Sequence, residues 1–381
     1  MMSFSAFIAG SGGIGVAVAV LLRECWAEEV DVLMGDISQS ALDKAKEQLL
    51  LAGDAQGAID LLDMSQSDWE QSLKEQDILL DCLPGRFAPK MAKIALELGM
   101  HYVNLTEYVQ ETKEIKKLAE GAQTGFALQC GLAPGFVNVL GVELFQQFCA
   151  DYGVEKVDQL EMKVGALSEH ASSPHFYAFT WSPIGVATEY VKAAEVVENH
   201  QLNLQPALSG RREIIIDGFR LEEDFTSGGA ADLPEALKDR VKNLHYKTIR
   251  YCGHYGWVEQ ILSEAPPFEN NDGQDRIDHL EREMMEQIPS VEDDLVVIFA
   301  AVEGKDKDGR LRRLEKSFWV RPMLVGELPL RAIQSTTAAG MAEAARILLI
   351  TNHQGVLLQS QIDPTSYMSG PFVSSIYDTM F

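Results

Sequence analysis

Three glycines near the start of the chain have the spacing of a loop that binds the pyrophosphate of a dinucleotide. They form the pattern Gly10-x-Gly12-x-x-Gly15, which lies between a predicted strand, Phe4–Ala9, and a predicted helix, Ile14–Cys25. In such a loop the first glycine permits a tight turn, and the second lets the backbone approach the phosphates. The third lets the helix pack against the strand, so that the N–H groups at the helix N-terminus face the anion.

A carboxylate follows the second predicted strand, Val30–Met34, at the spacing expected for ribose recognition. Asp36 stands 21 residues after Gly15, and the acidic residue of this fingerprint is expected about 20 residues on. An acid there accepts hydrogen bonds from a free ribose diol and repels a 2′-phosphate, and no arginine directly follows Asp36. We therefore predict NAD rather than NADP, with an ordinary surface aspartate as the alternative interpretation.

The first third of the chain alternates between strand and helix patterns, which is typical of a doubly wound parallel sheet of the Rossmann type. Further strands are predicted at Ala58–Leu62, Asp77–Leu83, Tyr102–Leu105 and Ala127–Cys130, and helices at Ser40–Ala52, Pro89–Leu98 and Tyr108–Gln123. Ser38 or Ser40 is the expected N-cap of the first of these helices, and Gly99 ends the second. We predict an α/β fold in which the ligand lies beyond the carboxyl ends of the strands.

The segments that follow these strands supply the predicted cofactor contacts. Asp63 is expected near the adenine, and Leu83 and Pro84 are expected beside the nicotinamide, with Arg86 near that end or capping the next helix. The predicted cofactor-binding residues are Gly10, Gly12, Gly13, Ile14, Gly15, Asp36, Ile37, Asp63, Met64, Cys82, Leu83, Pro84, Asn104, Pro134 and Asn138.

The pattern changes after the turn at Gly131–Gly135, and the rest of the chain predicts a second α+β domain with a mixed sheet. Helices are predicted at Val137–Phe148 and Pro183–Val197, strands at Val157–Gly165 and Glu213–Ile216, a loop at Pro266–Gln274, and a hairpin formed by Leu295–Glu303 and Leu311–Val320. A helix rich in small residues, Ser335–Leu349, is expected to pack closely on another element.

Composition excludes several classes of partner. The chain has 381 residues, which suggests two domains, and its formal charge of −25 argues against nucleic acid and anionic membranes. The five cysteines are scattered without a Cys-x-x-Cys motif, as in a reduced cytoplasmic protein. The His and Cys residues form no spacing typical of metal ligands, no run is long enough to span a membrane, and the N-terminus lacks the basic region of a signal peptide.

Four segments taken together resemble the saccharopine dehydrogenase family, in particular its members similar to lysine 6-dehydrogenase. The first is the glycine pattern with Asp36. The others are Cys130–Asn138, Thr180–Pro183 and Thr248–His254, and all four keep the family's order along the chain. The resemblance implies an NAD(P)-dependent oxidoreductase that transfers hydride at a C–N bond of an amino acid or amino-acid adduct, with lysine or saccharopine as the first expectation.

The resemblance also implies a domain layout and a homodimer. The NAD-binding domain is expected over residues 1–131, a substrate-binding and dimerisation domain over 132–325, and a C-terminal segment, 326–381, that returns to the first domain. Two positions depart from the family pattern: Cys252 stands where the family usually has proline, and Gly228 stands where it often has aspartate. These departures leave the identity of the substrate open.

The matched segments contain the predicted catalytic residues, which are His254, Arg250, Trp181, Ser182, Glu189 and Tyr190. His254 is the first candidate for a base, because histidine titrates near neutral pH. Arg250 is suited to hold a substrate carboxylate in a bidentate fork. The alternatives are that His254 shapes a turn, that Arg250 forms a structural ion pair, and that Trp181 belongs to the core.

Two other functions stay open from the sequence. One is a two-domain dehydrogenase of another substrate class, such as a semialdehyde or homoserine dehydrogenase, although no cysteine is convincing as a nucleophile: Cys130 precedes a glycine at a strand end, where burial is expected. The other is an NAD-binding sensor without catalysis, which the glycine at position 228 favours.

Overall fold

The computed structural model describes residues 4–26, 29–54, 57–107, 109–169, 171–268 and 273–377. The strands, in chain order, are β1 (Phe4–Ala9), β2 (Val30–Asp36), β3 (Ile59–Asp63), β4 (Ile78–Asp81), β5 (His101–Asn104), β6 (Gly125–Ala127), β7 (Val157–Ser168), β8 (Ala194–Glu198), β9 (Gln201–Gln205), β10 (Arg212–Ile216), β11 (Phe219–Phe225), β12 (Val241–Arg250), β13 (Asp294–Lys305), β14 (Leu311–Val320), β15 (Met323–Val325), β16 (Leu328–Leu330) and β17 (Gly355–Leu357). The helices are α1 (Gly13–Trp26), α2 (Gln39–Leu51), α3 (Ala88–Leu98), α4 (Val109–Leu118), α5 (Phe136–Tyr152), α6 (Pro183–Val191), α7 (Leu233–Leu237), α8 (His254–Glu264), α9 (Gln274–Gln287), α10 (Ala332–Thr351), α11 (Pro364–Met368) and α12 (Pro371–Tyr377).

The chain divides into two compact units. The first unit combines the N-terminal segment Met1–Phe136 with the C-terminal segment Pro322–Phe381, and the second unit is Val137–Arg321. The C-terminal segment contributes β17 to the sheet of the first unit, where Gly355–Leu357 pairs in parallel with Gly125–Ala127 of β6.

The first unit is built on a parallel sheet. Across the described residues its strand order is β17-β6-β5-β4-β1-β2-β3, and every pairing in it is parallel. Because all strands run the same way, their carboxyl ends meet at one edge of the sheet. The predicted α/β class and doubly wound parallel sheet are confirmed.

Local signals in the sequence start and stop the helices of this unit. Ser38 is the N-cap of α2, and its side chain accepts a hydrogen bond from the Ala41 N–H at 3.3 Å. Gly99 ends α3 in the left-handed conformation, with φ of 71°. The helix predicted at Tyr108–Gln123 is observed over Val109–Leu118, and Tyr108 lies outside the described residues.

Small residues let α10 pack closely, as predicted. A Cβ placed on Gly340 would overlap the carbonyl of Gly131, so only glycine allows the helix to lie against that turn. The alanines around it, Ala338 and Ala339, are fully buried. The observed helix is longer than the predicted Ser335–Leu349 and has Arg331 at its N-cap position.

The second unit contains a mixed sheet, also as predicted. Its described strands follow the order β10-β11-β12-β7-β13-β14, and β8 pairs with both β12 and β9. The pairing of β12 with β7 is parallel, whereas the other pairings are antiparallel. The predicted hairpin is observed as β13 and β14.

Two predicted elements differ from the observed ones in type or position. The helix predicted at Pro183–Val197 ends at Val191, where Lys192 adopts an extended conformation. The segment that follows forms β8, in which Val196 and Val197 are buried, because pairing in the sheet outweighs the local helical pattern. The strand predicted at Ala127–Cys130 lies instead at Gly125–Ala127.

Among the helices in the described ranges, none combines the length and the apolar character needed to span a bilayer.

Candidate cofactor site and active site

The three glycines of the fingerprint each have a distinct structural reason in the first unit. Gly10 has a φ of 102°, in the left-handed region that glycine tolerates, and a Cβ on Gly15 would overlap the carbonyl of Gly10. A Cβ on Gly12, by contrast, would meet no described atom within 4 Å. The loop therefore turns tightly, packs α1 against β1, and leaves open backbone beside Gly12, which is the shape that a pyrophosphate needs.

Asp36 lies next to this loop at the carboxyl end of β2. One carboxylate oxygen accepts hydrogen bonds from the N–H and the hydroxyl of Ser11, at 2.9 and 3.0 Å, and the other accepts one from the N–H of Ser38 at 2.9 Å. The residue is half-buried, and its neighbour Ile37 is 70% exposed. These bonds fix the carboxylate beside the glycine loop, at the position predicted for ribose recognition.

Asp63 and Met64 follow β3 on the same edge of the sheet. The Asp63 carboxylate accepts hydrogen bonds from the Ser65 N–H at 2.9 Å and from Gln66 Nε2 at 2.8 Å. The Ser65 side chain, the Gln66 side chain and the Ser65 N–H together hold the pKa of Asp63 below its ordinary value. Met64 is buried, and its N–H donates to the Asp36 carbonyl at 2.9 Å. This bond places the Asp63–Met64 segment directly beside Asp36, whose contact with the ribose stays a prediction.

The turn after β4 is held by a buried carboxyl that the sequence analysis missed. Asp81 is 2% exposed; it accepts hydrogen bonds from the Leu83 N–H at 3.1 Å and from the Tyr102 hydroxyl at 2.7 Å. Burial raises the pKa of Asp81 to about 7. The signal available in the sequence was an acidic residue at the end of an apolar strand. Through these hydrogen bonds Asp81 sets the conformation of the turn formed by Cys82, Leu83 and Pro84.

The remaining predicted cofactor residues fall in different environments. Asn104 ends β5 and is 1% exposed; its Oδ1 accepts a hydrogen bond from the Gln129 N–H at 2.9 Å. Pro134 belongs to a turn closed by a bond from the Gly131 N–H to the Pro134 carbonyl at 3.0 Å. Asn138 lies in the second unit, where its Nδ2 donates to the Gly229 carbonyl at 3.0 Å. That bond gives Asn138 a structural role, and its contact with a cofactor stays a prediction.

In the second unit the structure brings together Arg250, Tyr190 and His254 as a hydrogen-bonded chain. Arg250 Nε lies 2.6 Å from the Tyr190 hydroxyl, which lies 3.0 Å from His254 Nε2. His254 Nδ1 is 2.7 Å from the carbonyl of His175. Arginine can only donate, so the Tyr190 oxygen accepts a hydrogen bond from Arg250. The Tyr190 hydroxyl then donates a hydrogen bond to His254 Nε2, and His254 Nδ1 donates one to the His175 carbonyl. The network therefore specifies a neutral His254 with its proton on Nδ1.

Burial explains why His254 stays neutral. The side chain is 0% exposed, and burial together with the adjacent Arg250 charge lowers the pKa of His254 to about 3. Both ring nitrogens are occupied, so the geometry favours the alternative in which His254 shapes the site. Its role as a general base stays a prediction.

Arg250 is also committed to contacts inside this unit. It is 1% exposed; its Nη1 donates to the Ile249 carbonyl at 2.9 Å, and the guanidinium lies 4.9 Å from the centre of the Tyr177 ring. Burial raises the pKa of Tyr190 above its ordinary value, so the phenol keeps its proton at neutral pH. The preceding residue on α6, Glu189, is 7% exposed rather than lying on a solvated surface.

Trp181 and Ser182 directly precede α6 and are not part of the hydrogen-bonded chain. Ser182 is exposed and is the N-cap of the helix, where its hydroxyl accepts a hydrogen bond from the Gly185 N–H at 3.4 Å. The Trp181 ring packs so closely on Gly185 that a Cβ there would overlap it. Both residues therefore have a local structural function, and their predicted contacts with substrate stay predictions.

A buried ionic cluster crosses three strands of the second unit and was not predicted. Glu223 on β11 is 2% exposed and pairs with Lys163 Nζ at 2.5 Å and Lys247 Nζ at 3.1 Å. Burial alone would raise the pKa of Glu223, but the two ammonium groups hold it below its ordinary value. The only signal in the sequence was the presence of charged residues within otherwise apolar strands.

Neither a metal centre nor a thiol nucleophile is formed by the part of the chain that the structure describes. No group of three or more His, Cys, Asp or Glu side chains is placed to hold a metal ion within those residues. Cys130 is 1% exposed, and burial raises the pKa of its thiol to about 12. The reactive thiolate is therefore scarce at neutral pH.

Comparison with protein families matches most of the chain. The family model of the saccharopine dehydrogenase NADP binding domain matches residues 6–127, and that of the saccharopine dehydrogenase C-terminal domain matches residues 131–375. These matches support a nicotinamide dinucleotide as cofactor and leave the choice between NAD and NADP open.

Curated relatives match part of the chain. Alpha-aminoadipic semialdehyde synthase, mitochondrial, of Rattus norvegicus is 29% identical over 137 residues, which are 35% of this chain and 15% of that protein. The Mus musculus protein of the same name is 30% identical over 132 residues, 34% of this chain and 14% of that protein. The match thus spans about one seventh of the length of these relatives.

Two solved structures share the fold along nearly the whole chain. Saccharopine dehydrogenase (L-Glu forming) from Saccharomyces cerevisiae has a TM-score of 0.73 and 15% identity, with 98% of each chain covered. Homospermidine synthase from Legionella pneumophila, solved in complex with NAD, has a TM-score of 0.64 and 13% identity, with 98% of this chain and 90% of that chain covered.

Proposed function

Because the chain belongs to the saccharopine dehydrogenase family, we propose that it transfers hydride between a nicotinamide dinucleotide and the carbon of a C–N bond in an amino acid or amino-acid adduct. The observation that carries the proposal is the open backbone at Gly12, on a loop whose neighbouring glycines are packed tightly. A loop of this shape next to the N-terminus of α1 suits a pyrophosphate.

The residues of the first unit fit the cofactor in the following roles. The loop from Gly10 to Gly15 admits the pyrophosphate, and Asp36 accepts hydrogen bonds from the ribose diol, which is why we propose NAD as the preferred cofactor. The Asp81 carboxylate holds the turn at Leu83 and Pro84, which borders the nicotinamide. When bound, the nicotinamide ring supplies the hydride acceptor or donor, and the protein supplies position and charge.

Lysine or saccharopine is the substrate that we propose first. Two observations support it: the names of the family models and the partial match to alpha-aminoadipic semialdehyde synthase. In the second unit, Arg250 places a permanent positive charge next to Tyr190 and His254, and such a charge favours an anionic substrate group in its vicinity. We also propose that the protein is a homodimer, on the family resemblance alone.

The proposal is tested by following NADH absorbance with the purified protein. L-lysine, saccharopine and homospermidine are assayed with NAD and with NADP, beside a Gly12→Val variant. The valine side chain enters space that is open in the protein, so the variant is expected to fold while blocking the pyrophosphate. Turnover that requires a C–N substrate and is lost in Gly12→Val supports the proposal. Cofactor binding without turnover on any C–N substrate contradicts it and favours a sensor or another class of dehydrogenase.

A further inference from the structure

A glutamine from the C-terminal segment lies against the glycine loop of the first unit. The Nε2 atom of Gln334 is so close to Gly13 that a Cβ on this glycine would overlap it, and Arg331 Nη2 lies 3.8 Å from the same position. Gly13 is not one of the three glycines of the fingerprint. Position 13 requires glycine because the side chain of Gln334, 321 residues later in the chain, occupies the space that a Cβ would need.

The two ends of the Gln334 amide are in different situations. Oε1 accepts a hydrogen bond from the Arg331 N–H at 2.9 Å, which fixes the orientation of the amide. For Nε2, no acceptor is recorded in the described ranges, although the residue is only 7% exposed. Within the described residues Nε2 is not one of the fully buried polar atoms that lack a partner, so this donor stays open beside the loop, where an acceptor atom of a ligand can bind it.

The surroundings of this donor are suited to an anion. Gly13 is the first residue of α1, and Gln334 lies in the first turn of α10, so the N-termini of two helices meet at this point. Each helix N-terminus carries a partial positive charge, and α10 is 20 residues long. The guanidinium of Arg331 adds a full positive charge beside them.

We propose that Gln334 is a dinucleotide-binding residue, which donates a hydrogen bond from Nε2 to a pyrophosphate oxygen of the cofactor bound at the glycine loop. The second helix N-terminus and Arg331 add to the favourable potential. The C-terminal segment thus completes the phosphate site of the first unit as well as its sheet. This inference rests on the proposed function, because it requires a dinucleotide at the loop.

The test measures binding by titration calorimetry, with NADH and with ADP-ribose, which carries the pyrophosphate but no nicotinamide. Gln334→Glu retains an acceptor for the Arg331 N–H and replaces the donor with a charged oxygen. Gln334→Met removes both functions at similar length. The matched control is Gln361→Glu, because the Oε1 atom of Gln361 also accepts from a backbone N–H, that of Leu358, at 2.9 Å. Gln361 is exposed and follows β17 in the chain. In the sheet, β17 stands four strands away from β1, which leads into the glycine loop. Four strand spacings amount to about 19 Å.

The expected result is that Gln334→Met weakens both ligands by roughly tenfold and Gln334→Glu by more, because a hydrogen bond to a charged acceptor is lost and a like charge is then added. Gln361→Glu is expected to bind as the unmodified protein does. If both Gln334 variants bind both ligands with unchanged affinity while Gly12→Val binds neither, the inference is overturned and the proposed function stands. Weakened NADH binding with unchanged ADP-ribose binding also overturns it, since the side chain would then act at the nicotinamide. If the unmodified protein binds no dinucleotide at all, the inference and the proposed function fail together.

Discussion

Replacing Tyr190 with phenylalanine tests the hydrogen-bonded chain at the centre of the second unit. The change deletes one oxygen atom from a side chain that is 1% exposed. That oxygen accepts from Arg250 Nε at 2.6 Å and lies 3.0 Å from His254 Nε2. The deletion therefore leaves a buried charged donor and a buried imidazole acceptor each without this partner.

The magnitude follows from those two contacts. A hydrogen bond to a charged group contributes about 1.5–3 kcal/mol and a neutral one about 1 kcal/mol. We therefore expect Tyr190→Phe to lower the free energy of unfolding of the second unit by about 2.5–4 kcal/mol. Part of this loss reflects the burial of the unpaired guanidinium N–H, because water cannot reach it.

Two neighbouring tyrosines give matched controls for the same chemical deletion. The Tyr255 hydroxyl donates one neutral hydrogen bond, to the Thr248 carbonyl at 2.7 Å, so Tyr255→Phe is expected to cost about 1 kcal/mol. The Tyr177 hydroxyl is buried and makes no hydrogen bond of ordinary geometry to the described residues. Tyr177→Phe is therefore expected to cause no loss of stability and to raise the free energy of unfolding by up to about 1 kcal/mol, because it removes a buried hydroxyl that lacks a partner.

The assay is urea unfolding followed by tryptophan fluorescence, since Trp257 belongs to the same core cluster as all three tyrosines. The expected order of destabilisation is Tyr190→Phe, then Tyr255→Phe, then Tyr177→Phe. If the three variants lose equal stability, the loss comes from packing around the deleted oxygen, and the hydrogen-bonded chain is not what stabilises the cluster.

Three acidic side chains of the two units each give a further prediction. The pKa of Asp81 is about 7 in the folded protein, above the ordinary value of 3.8. The folded state therefore holds this proton more tightly than the unfolded state does, and the free energy of unfolding falls as pH rises from about 4 to about 7. Asp81→Asn should remove this dependence and gain up to about 4 kcal/mol above pH 7, as measured by urea unfolding across pH. Asp36→Asn should raise the affinity for NADPH relative to NADH by about tenfold, because a like charge facing the 2′-phosphate is removed; calorimetry measures the ratio. Glu223→Gln should lower the free energy of unfolding by about 3–5 kcal/mol, because the Lys163 and Lys247 ammonium groups lose a buried charged partner. In the unmodified protein, the stabilisation that Glu223 gives should be lost as pH falls through its lowered pKa.

Each of these predictions has an outcome that contradicts it. A pH dependence between 4 and 7 that survives in Asp81→Asn would show that other groups cause it. For cofactor choice, Asp60→Asn is the control, because Asp60 is an exposed residue within β3; an equal change in the NADPH-to-NADH ratio there would mean that net charge, rather than position, is responsible. An unchanged unfolding midpoint for Glu223→Gln would mean that the two lysines find other partners.

The parts of the fold that the sequence predicted are those encoded by short-range patterns. Strand and helix alternation identified the parallel sheet of the first unit, and a turn between two alternating segments identified the β13–β14 hairpin. Glycines at positions 10, 12 and 15 predicted a loop whose geometry requires glycine at positions 10 and 15, and whose backbone is open at Gly12. Backbone sterics act over a few residues, and a single sequence therefore records them directly.

The boundary error at Pro183–Val197 shows where such reasoning ends. The helical pattern continues past Val191, but the next segment pairs with β12 and β9. β12 is distant in sequence, whereas β9 follows β8 after only Asn199 and His200. The pairing free energy depends on these two strands rather than on the helical pattern of the segment itself.

The sequence by itself determined which residue types could bind a dinucleotide and which family pattern the chain follows. Only the tertiary structure decided how each polar group is used. It buried His254 with both nitrogens hydrogen-bonded, committed Arg250 to Tyr190, and brought Gln334 against Gly13 across 321 residues. The physical reason is that hydrogen bonding and desolvation depend on neighbours in space, whereas spacing along the chain records only the neighbours that are close in sequence.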